Sequence, residues 1–273
     1  MSAAEHNRAV IAHIGGQRFE WGSRTYVMGI INATPDSFSG DGLGTDVNAA
    51  IEQGLLMVRE GADMLDVGGE STRPGHLPVT AAEEIQRVDA IVRRLAADAG
   101  VPVSIDTYKE EVAARAIGGG ATILNDVWGL TRSPAIADLA ARHGCALVLM
   151  HNQDGTDYSG DLMDEIKRFL SVAATRAMAA GVPREKVILD PGIGFGKTAD
   201  HNWEVMRRLG ELQDLGHPIL VGTSRKSFIG KLLDLPVTER LEGTEATVVA
   251  AVLRGADIVR VHDVLPMTRA VRK

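Results

Sequence analysis

Apolar residues fall in short uninterrupted runs along this chain, each finished by polar residues and each followed by a stretch with helical spacing. The runs are VMGIIN (27–32), MLDVGG (64–69), VSIDT (103–107), ILNDV (123–127), LVLMH (147–151), VILDPG (187–192), ILVGTS (219–224) and IVRVHD (258–263). Runs of this kind, apolar on both sides of the pleat, suit strands of a parallel sheet covered on both faces. Between them, Thr80-Ala-Ala-Glu83 reads as a capping box, and Ile85, Val88, Val92 and Leu95 then share one helix face before Gly100. Ser133 is expected to cap a helix whose first residue is Pro134. Gly61-Ala-Asp63 and Gly255-Ala-Asp257 repeat as links from a helix end into a strand. Residues 10–24 pattern as a hairpin around Gly15-Gly16, placed to plug one end of a barrel.

Eight such strand–helix units predict an α/β chain, a single (β/α)8 TIM barrel spanning 1–273 with an N-terminal β-hairpin. An open doubly wound sheet is the alternative, because strand count alone does not enforce closure. In a barrel, the strands' C-terminal ends converge on one mouth. That would gather Asn32, Asp66, Asp106, Asn125, His151, Asp190, Ser224, Arg260 and His262. One polar strand end is an ordinary turn former, but eight in succession point to a site.

The most conspicuous loop is DPGIGFGKT (190–198), which has the look of a phosphate cradle. Its spacing excludes a P-loop: Gly192 and Gly196 are separated by three residues rather than four, and Pro191 stands where a backbone donor is needed. The loose G-x-G-x-x-A match at 194–199 lacks an acid at the end of a second strand.

Other loops carry more chemistry. NATPDSFSGDGLG (32–44) sets Phe38 among small residues, as a lid would. GGESTRPGH (68–76) offers Arg73 as a fork for phosphate or carboxylate. TSRKSF (223–228) opens a helix with Arg225, Lys226 and amides near Ser227, a predicted anion site. Arg260 and His262 fall on one strand face. Asp106, Asn125 and Asp190 would pair with a flat heterocycle, and Arg73, Lys226, Arg260 and His262 with phosphate.

Composition narrows the partners. A net charge of −7 argues against nucleic acid. The single cysteine, Cys145, excludes a disulfide framework or a multi-cysteine zinc site. No apolar run approaches the roughly 20 residues that span a bilayer, and the first residues lack a signal pattern, so a cytoplasmic location without membrane association is expected. No dense metal-ligand cluster is present; oxygens near Asn32 suit at most a phosphate-bridged Mg2+.

NATPDSFS, DVGGESTRPG, SIDT, ND, DPGIGFGKT, TSRKSF and RVHD, in this order from Met28 to Asp263, resemble the dihydropteroate synthase family of pterin-binding barrels. The resemblance implies condensation of 6-hydroxymethyl-7,8-dihydropterin diphosphate with 4-aminobenzoate, with Mg2+-assisted departure of pyrophosphate, by what is usually a homodimer. It implies that Asp106, Asn125, Asp190 and Lys226 read the pterin edge while Met150 and Arg260 sandwich the ring. Asn32 would hold Mg2+, and Asn32, Arg73, Arg260 and His262 the diphosphate. Phe38, Thr72, Pro74, Phe195, Lys226 and Ser227 would form the 4-aminobenzoate pocket, with Asp36 organising the closed loops. Lys197-Thr198 would then begin a helix rather than grip phosphate.

Two stretches depart from the family's pattern: Ser39-Gly40-Asp41-Gly42, which moves an acid by one place, and HNQDGTDYSG (151–160). No insertion interrupts GFGK, so inhibition by sulfonamides is expected. A pterin-binding methyltransferase and a non-catalytic paralogue are the rival readings.

Overall fold

The computed structural model describes residues 10–34, 46–71 and 78–272. An antiparallel hairpin, β1 (Val10–Ile14) and β2 (Gln17–Trp21), precedes eight parallel strands. These are β3 (Tyr26–Asn32), β4 (Met64–Gly68), β5 (Val103–Asp106), β6 (Ile123–Asp126), β7 (Ala146–Met150), β8 (Val187–Asp190), β9 (Leu220–Val221) and β10 (Ile258–Val261). Their order around the sheet is β8-β7-β6-β5-β4-β3-β10-β9, and a parallel bridge from Leu189 to Ile219 joins β8 to β9. The sheet therefore closes, and the open doubly wound alternative is excluded.

Helices cover the barrel's outside. The Ala81–Asp98 helix turns Val88, Val92 and Leu95 into the core, as its spacing predicts. Thr80 caps it by accepting from the Glu83 amide (3.2 Å). The capping box is only half formed, since the Glu83 carboxylate reaches forward to Arg87 (2.5 Å). The Ser133 expectation is corrected by one residue: Pro134 itself stands at the N-cap of the Ala135–His143 helix, without a side-chain cap. Its helical φ and ψ begin the turn early, so Ser133 contributes its carbonyl to the Ile136 amide instead.

The repeated Gly-Ala-Asp links do equivalent work. Gly61 and Gly255 take positive φ to end their helices, and each following aspartate satisfies an amide at or next to the start of a neighbouring strand. Asp63 accepts from Val27 N (2.8 Å), and Asp257 from Ile219 N (2.9 Å) and Gly22 N (2.9 Å).

Inside the barrel the side chains form layers. The lower layer is apolar: Met28, Met64, Ile123, Ala146, Val148, Ile188, Leu220 and Ile258 cluster with Ala12, Ile14, Phe19, Trp21 and Tyr26. The hairpin is thus the barrel's N-terminal plug, as predicted. Its aromatic rings interlock, Phe19 lying 5.4 Å from Trp21 and 5.0 Å from Tyr26 between centroids. The Trp21 indole donates to Glu185 O (3.0 Å), which satisfies its one polar atom.

Candidate active site

Two residues further along β4, β6, β8 and β10, the inward positions become polar: Asp66, Asn125, Asp190 and Arg260. Register sets the neighbours: Asp106 lies beside Asn125, and Met150 beside Asp190. Strand alternation also explains why the Asn125-Asp126 pair divides its labour. Asn125 points inward, while Asp126 turns back to accept from Trp128 N (2.9 Å) and Leu130 N (2.7 Å).

Arg260 crosses the mouth of the barrel. Its Nε donates to Asp66 Oδ2 (2.6 Å) and its Nη2 to Asp106 Oδ2 (2.8 Å). The same Asp66 oxygen accepts from the Asn125 amide (2.9 Å). Asp66 is fully buried, and a buried carboxylate survives only with such partners. One oxygen therefore orients two residues of the predicted pterin group. Asp66 was legible as a polar strand end, but no role followed from that alone. Its signal was an acid inside an otherwise apolar run, MLDVG.

Asp190 is buried at the end of β8 and accepts from Gly192 N (2.7 Å). Burial raises its pKa, opposed by the Lys226 ammonium and by that amide bond. Burial likewise pushes Asp106 up, with Arg260 pulling the other way. Lys226 is lowered to about 8 by desolvation, with Asp190 working to keep it charged. Its Nζ donates to Ile193 O and sits 4.8 Å from the Phe195 ring centroid. Met150 is buried beside this group. The structure thus brings together Asp106, Asn125, Met150, Asp190, Phe195, Lys226 and Arg260.

His262 lies beside it. Asn32 Nδ2 and His262 Nε2 are 3.3 Å apart, and Ser224 Oγ is 2.9 Å from His262 Nδ1. The Asn32 nitrogen is thereby turned to the imidazole, which directs its oxygen, the atom a hard cation prefers, the other way. Among the described residues no group of three His, Cys, Asp or Glu side chains could hold a metal. That donor set fits an ion carried largely by phosphate and water, as Mg2+ is, and does not fit a protein-caged metal.

The TSRKSF expectation divides. Lys226 does face the site, and Ser227 is exposed as the first residue of the Ser227–Leu233 helix. Arg225 does not: it takes a positive φ and forks onto Asp263, 2.5 Å and 3.0 Å away. The long-range pairing of these two charges was invisible locally. Asp36, Phe38, Asp41, Thr72, Arg73 and Pro74 lie outside the described residues. Glu70 ties both flanks of residues 72–77, accepting from Val79 N (3.0 Å), Tyr108 OH (3.0 Å) and Lys109 Nζ (2.5 Å).

DPGIGFGKT needs its glycines for backbone reasons. Gly192, Gly194 and Gly196 all have positive φ, and a Cβ at Gly192 would collide with the His151 carbonyl. The loop is no nucleotide cradle. Thr198 caps the Ala199–Arg208 helix, as its expected place at a helix start implies. Lys197 departs from that expectation. It is buried before the helix, donating to His151 Nδ1 (2.9 Å), Gly192 O (3.1 Å) and Phe195 O (3.1 Å).

Comparison with known proteins agrees with this geometry. The family model described as pterin binding enzyme matches residues 28–262. The dihydropteroate synthase of Clostridium beijerinckii is 50% identical over 260 residues, covering 95% of this chain and 96% of that protein. The Xanthomonas albilineans dihydropteroate synthase solved with 4-aminobenzoic acid superposes with a TM-score of 0.91 at 40% identity, over 96% of each chain. The Yersinia pestis dihydropteroate synthase solved as a sulfonamide drug complex gives 0.88 at 40% identity, covering 95% of this chain and 96% of that one.

Proposed function

Because the chain belongs to the pterin-binding enzyme family, and within it to the dihydropteroate synthases, we propose that its barrel mouth joins 6-hydroxymethyl-7,8-dihydropterin diphosphate to 4-aminobenzoate. The pterin methylene's C–O bond to diphosphate breaks, its bond to the amine nitrogen forms, and the amine loses a proton. The products are pyrophosphate and 7,8-dihydropteroate, which makes the protein a transferase.

The observation that carries this reading is the polar layer set on an apolar one, with carboxylates and an amide interleaved with cations. Asp190, Asp106 and Asn125 supply acceptors and a donor for the aminopyrimidinone edge, with Lys226 completing it. Arg260, already pinned by two carboxylates, is held flat enough to stack against a ring opposite Met150. Arg260 and His262, with Arg73, are the groups assigned to the diphosphate, where cations stabilise the charge that develops on departure. Bound Mg2+ would add to that neutralisation, with Asn32 as its protein ligand. Phe195, Lys226 and Ser227, together with Phe38, Thr72 and Pro74, are assigned to 4-aminobenzoate, and Asp36 to ordering the closed loops.

Purified protein mixed with Mg2+ and both substrates tests this directly. Pyrophosphate and dihydropteroate should appear in equal amounts. Pterin diphosphate that binds without pyrophosphate release would replace the reading with a non-catalytic paralogue. Sulfonamides should inhibit, and excess 4-aminobenzoate should relieve the inhibition.

We also infer a cytoplasmic homodimer. No helix among the described residues is long and apolar enough to cross a membrane. Leu232 and Leu233 are exposed beside an apolar groove of about 280 Å3 that Trp203, Ile229 and Ala250 also line. Exposed apolar surface of this kind marks contact faces. Sedimentation at the mass of a monomer would remove the inference.

A further inference from the structure

The loop that departs from the family's pattern, 151–160, locks onto the loop that carries Phe195, and the lock turns on a buried lysine. Lys197 Nζ has three acceptors: His151 Nδ1, Gly192 O and Phe195 O. In its charged form the lysine has three protons, one for each acceptor; burial lowers its pKa to about 7, with Asp190 opposing the shift. His151 accepts at Nδ1 only as the neutral ring, and burial, aided by the adjacent lysine charge, holds its pKa down to about 3. Tyr158 adds a fourth tie, its hydroxyl donating to Gly196 O (2.8 Å). The phenol ring is held in turn by His201, edge-on at 5.1 Å. Gly196 packs so closely on Gln153 that a Cβ there would lie 2.8 Å from its side chain. From the other side, Gly194 N donates to Asn202 Oδ1 (2.6 Å).

Four carbonyls of this loop thus meet side-chain donors: Gly192, Phe195 and Gly196 through Lys197 and Tyr158, and Ile193 through Lys226. The donors differ in one respect. Lys197 and Tyr158 lie behind the loop, Lys197 acting on Asp190 only through its charge, whereas Lys226 faces Asp190 across the pterin position. Lys226 keeps two protons beyond the one it gives Ile193 O, so it can serve the pterin as well, while Lys197 and Tyr158 hold the other three carbonyls.

We propose that Lys197 and Tyr158 are positioning residues for 4-aminobenzoate: they fix the backbone of 192–196 so that Phe195 keeps its place at the second-substrate pocket while Lys226 engages the pterin. This rests on the functional reading above, in which Phe195 borders that pocket. It assigns a role to the atypical loop 151–160 and to a lysine that touches neither substrate.

The test uses the full chain and two variants, Lys197→Met and Tyr158→Phe. Steady-state kinetics varies each substrate separately, and thermal unfolding is recorded for each protein. In Lys197→Met the KM for 4-aminobenzoate should rise about tenfold or more, with the KM for pterin diphosphate within roughly threefold of the parent. Tyr158→Phe should move the same constant in the same direction by about two- to fourfold, with its unfolding temperature little changed. An unmoved 4-aminobenzoate KM in both variants, or a parallel rise in both constants that tracks lost stability, would overturn the proposal. If Lys197→Met does not fold, Tyr158→Phe decides alone, and an unchanged KM there is fatal. A parent protein that forms no dihydropteroate sinks the functional reading, and this inference with it. An active parent with insensitive variants sinks only the inference.

Discussion

The two ends of the barrel are built from the same strands and differ in what they bury. At the N-terminal end the inward residues are Met28, Met64, Ile123, Ile188 and Ile258, sealed by Phe19 and Trp21 from the hairpin. At the C-terminal end the same strands turn Asp66, Asp106, Asn125, Asp190 and Arg260 inward. The first end gains stability from apolar area and close packing. The second holds desolvated charge in a shared network, Arg260 serving both Asp66 and Asp106, which contributes little net stability and leaves it organised for a ligand. Stability and chemistry are thus separated along one axis by a few residues per strand.

This contrast can be broken by substitution. The largest effect is expected at the plug. Phe19→Ala removes a buried ring from the aromatic cluster and should cost about 3–5 kcal/mol, read as a lower urea midpoint, with kinetic constants of the folded enzyme unchanged. A fall in activity of the folded fraction would mean that the two ends are not independent.

Next comes the converse at the mouth. Asp190→Asn keeps the size and can still accept from Gly192 N, but its amide presents N–H where the pterin edge also donates. Pterin diphosphate affinity should fall roughly 100-fold, about 2.7 kcal/mol, while the unfolding midpoint stays near the parent's. Parent-like binding would remove Asp190 from the pterin assignment. A stability loss as large as that of Phe19→Ala would erase the contrast itself.

A smaller, pH-dependent effect belongs to His151. Its folded pKa, about 3, lies below the ordinary value of 6.5, so the unfolded chain takes up the proton first. The resulting stability is fully present above about pH 6.5 and is lost progressively as pH falls toward 3. Relative to its own value at pH 7, the parent should lose on the order of 2 kcal/mol by pH 5 from this group, and His151→Gln should lose that much less. Equal losses of unfolding free energy between pH 7 and pH 5 in parent and variant, read from urea titrations, would show that the imidazole does not drive the difference.

The smallest effect is expected at Arg225. Its guanidinium is exposed and paired with Asp263, away from the mouth, so Arg225→Gln should change stability by less than about 1 kcal/mol and activity by less than about threefold. A large loss of diphosphate affinity would restore the anion site that the local sequence suggested.

These expectations separate what the chain announces from what folding decides. Eight strands, the hairpin plug and the inward polar ends were legible because apolar run length and period report, within a few residues, which face a side chain takes. The Gly-Ala-Asp links were legible for the same local reason: a glycine ends the helix and an aspartate meets the next strand's amides. Closure was not legible, because it depends on a bridge between Leu189 and Ile219 that no local pattern encodes. Nor were the charge partners. Arg260 reaches Asp66 and Asp106 across 194 and 154 residues. Arg225 turned to Asp263, and Lys197, an ordinary surface residue by type, became the buried tie between two loops. The sequence by itself determined which residues point into the barrel, since that follows from the two-residue period of a strand. Only the tertiary structure decided which of them pair, because closing the barrel brings distant strand ends within hydrogen-bonding reach and desolvates them together.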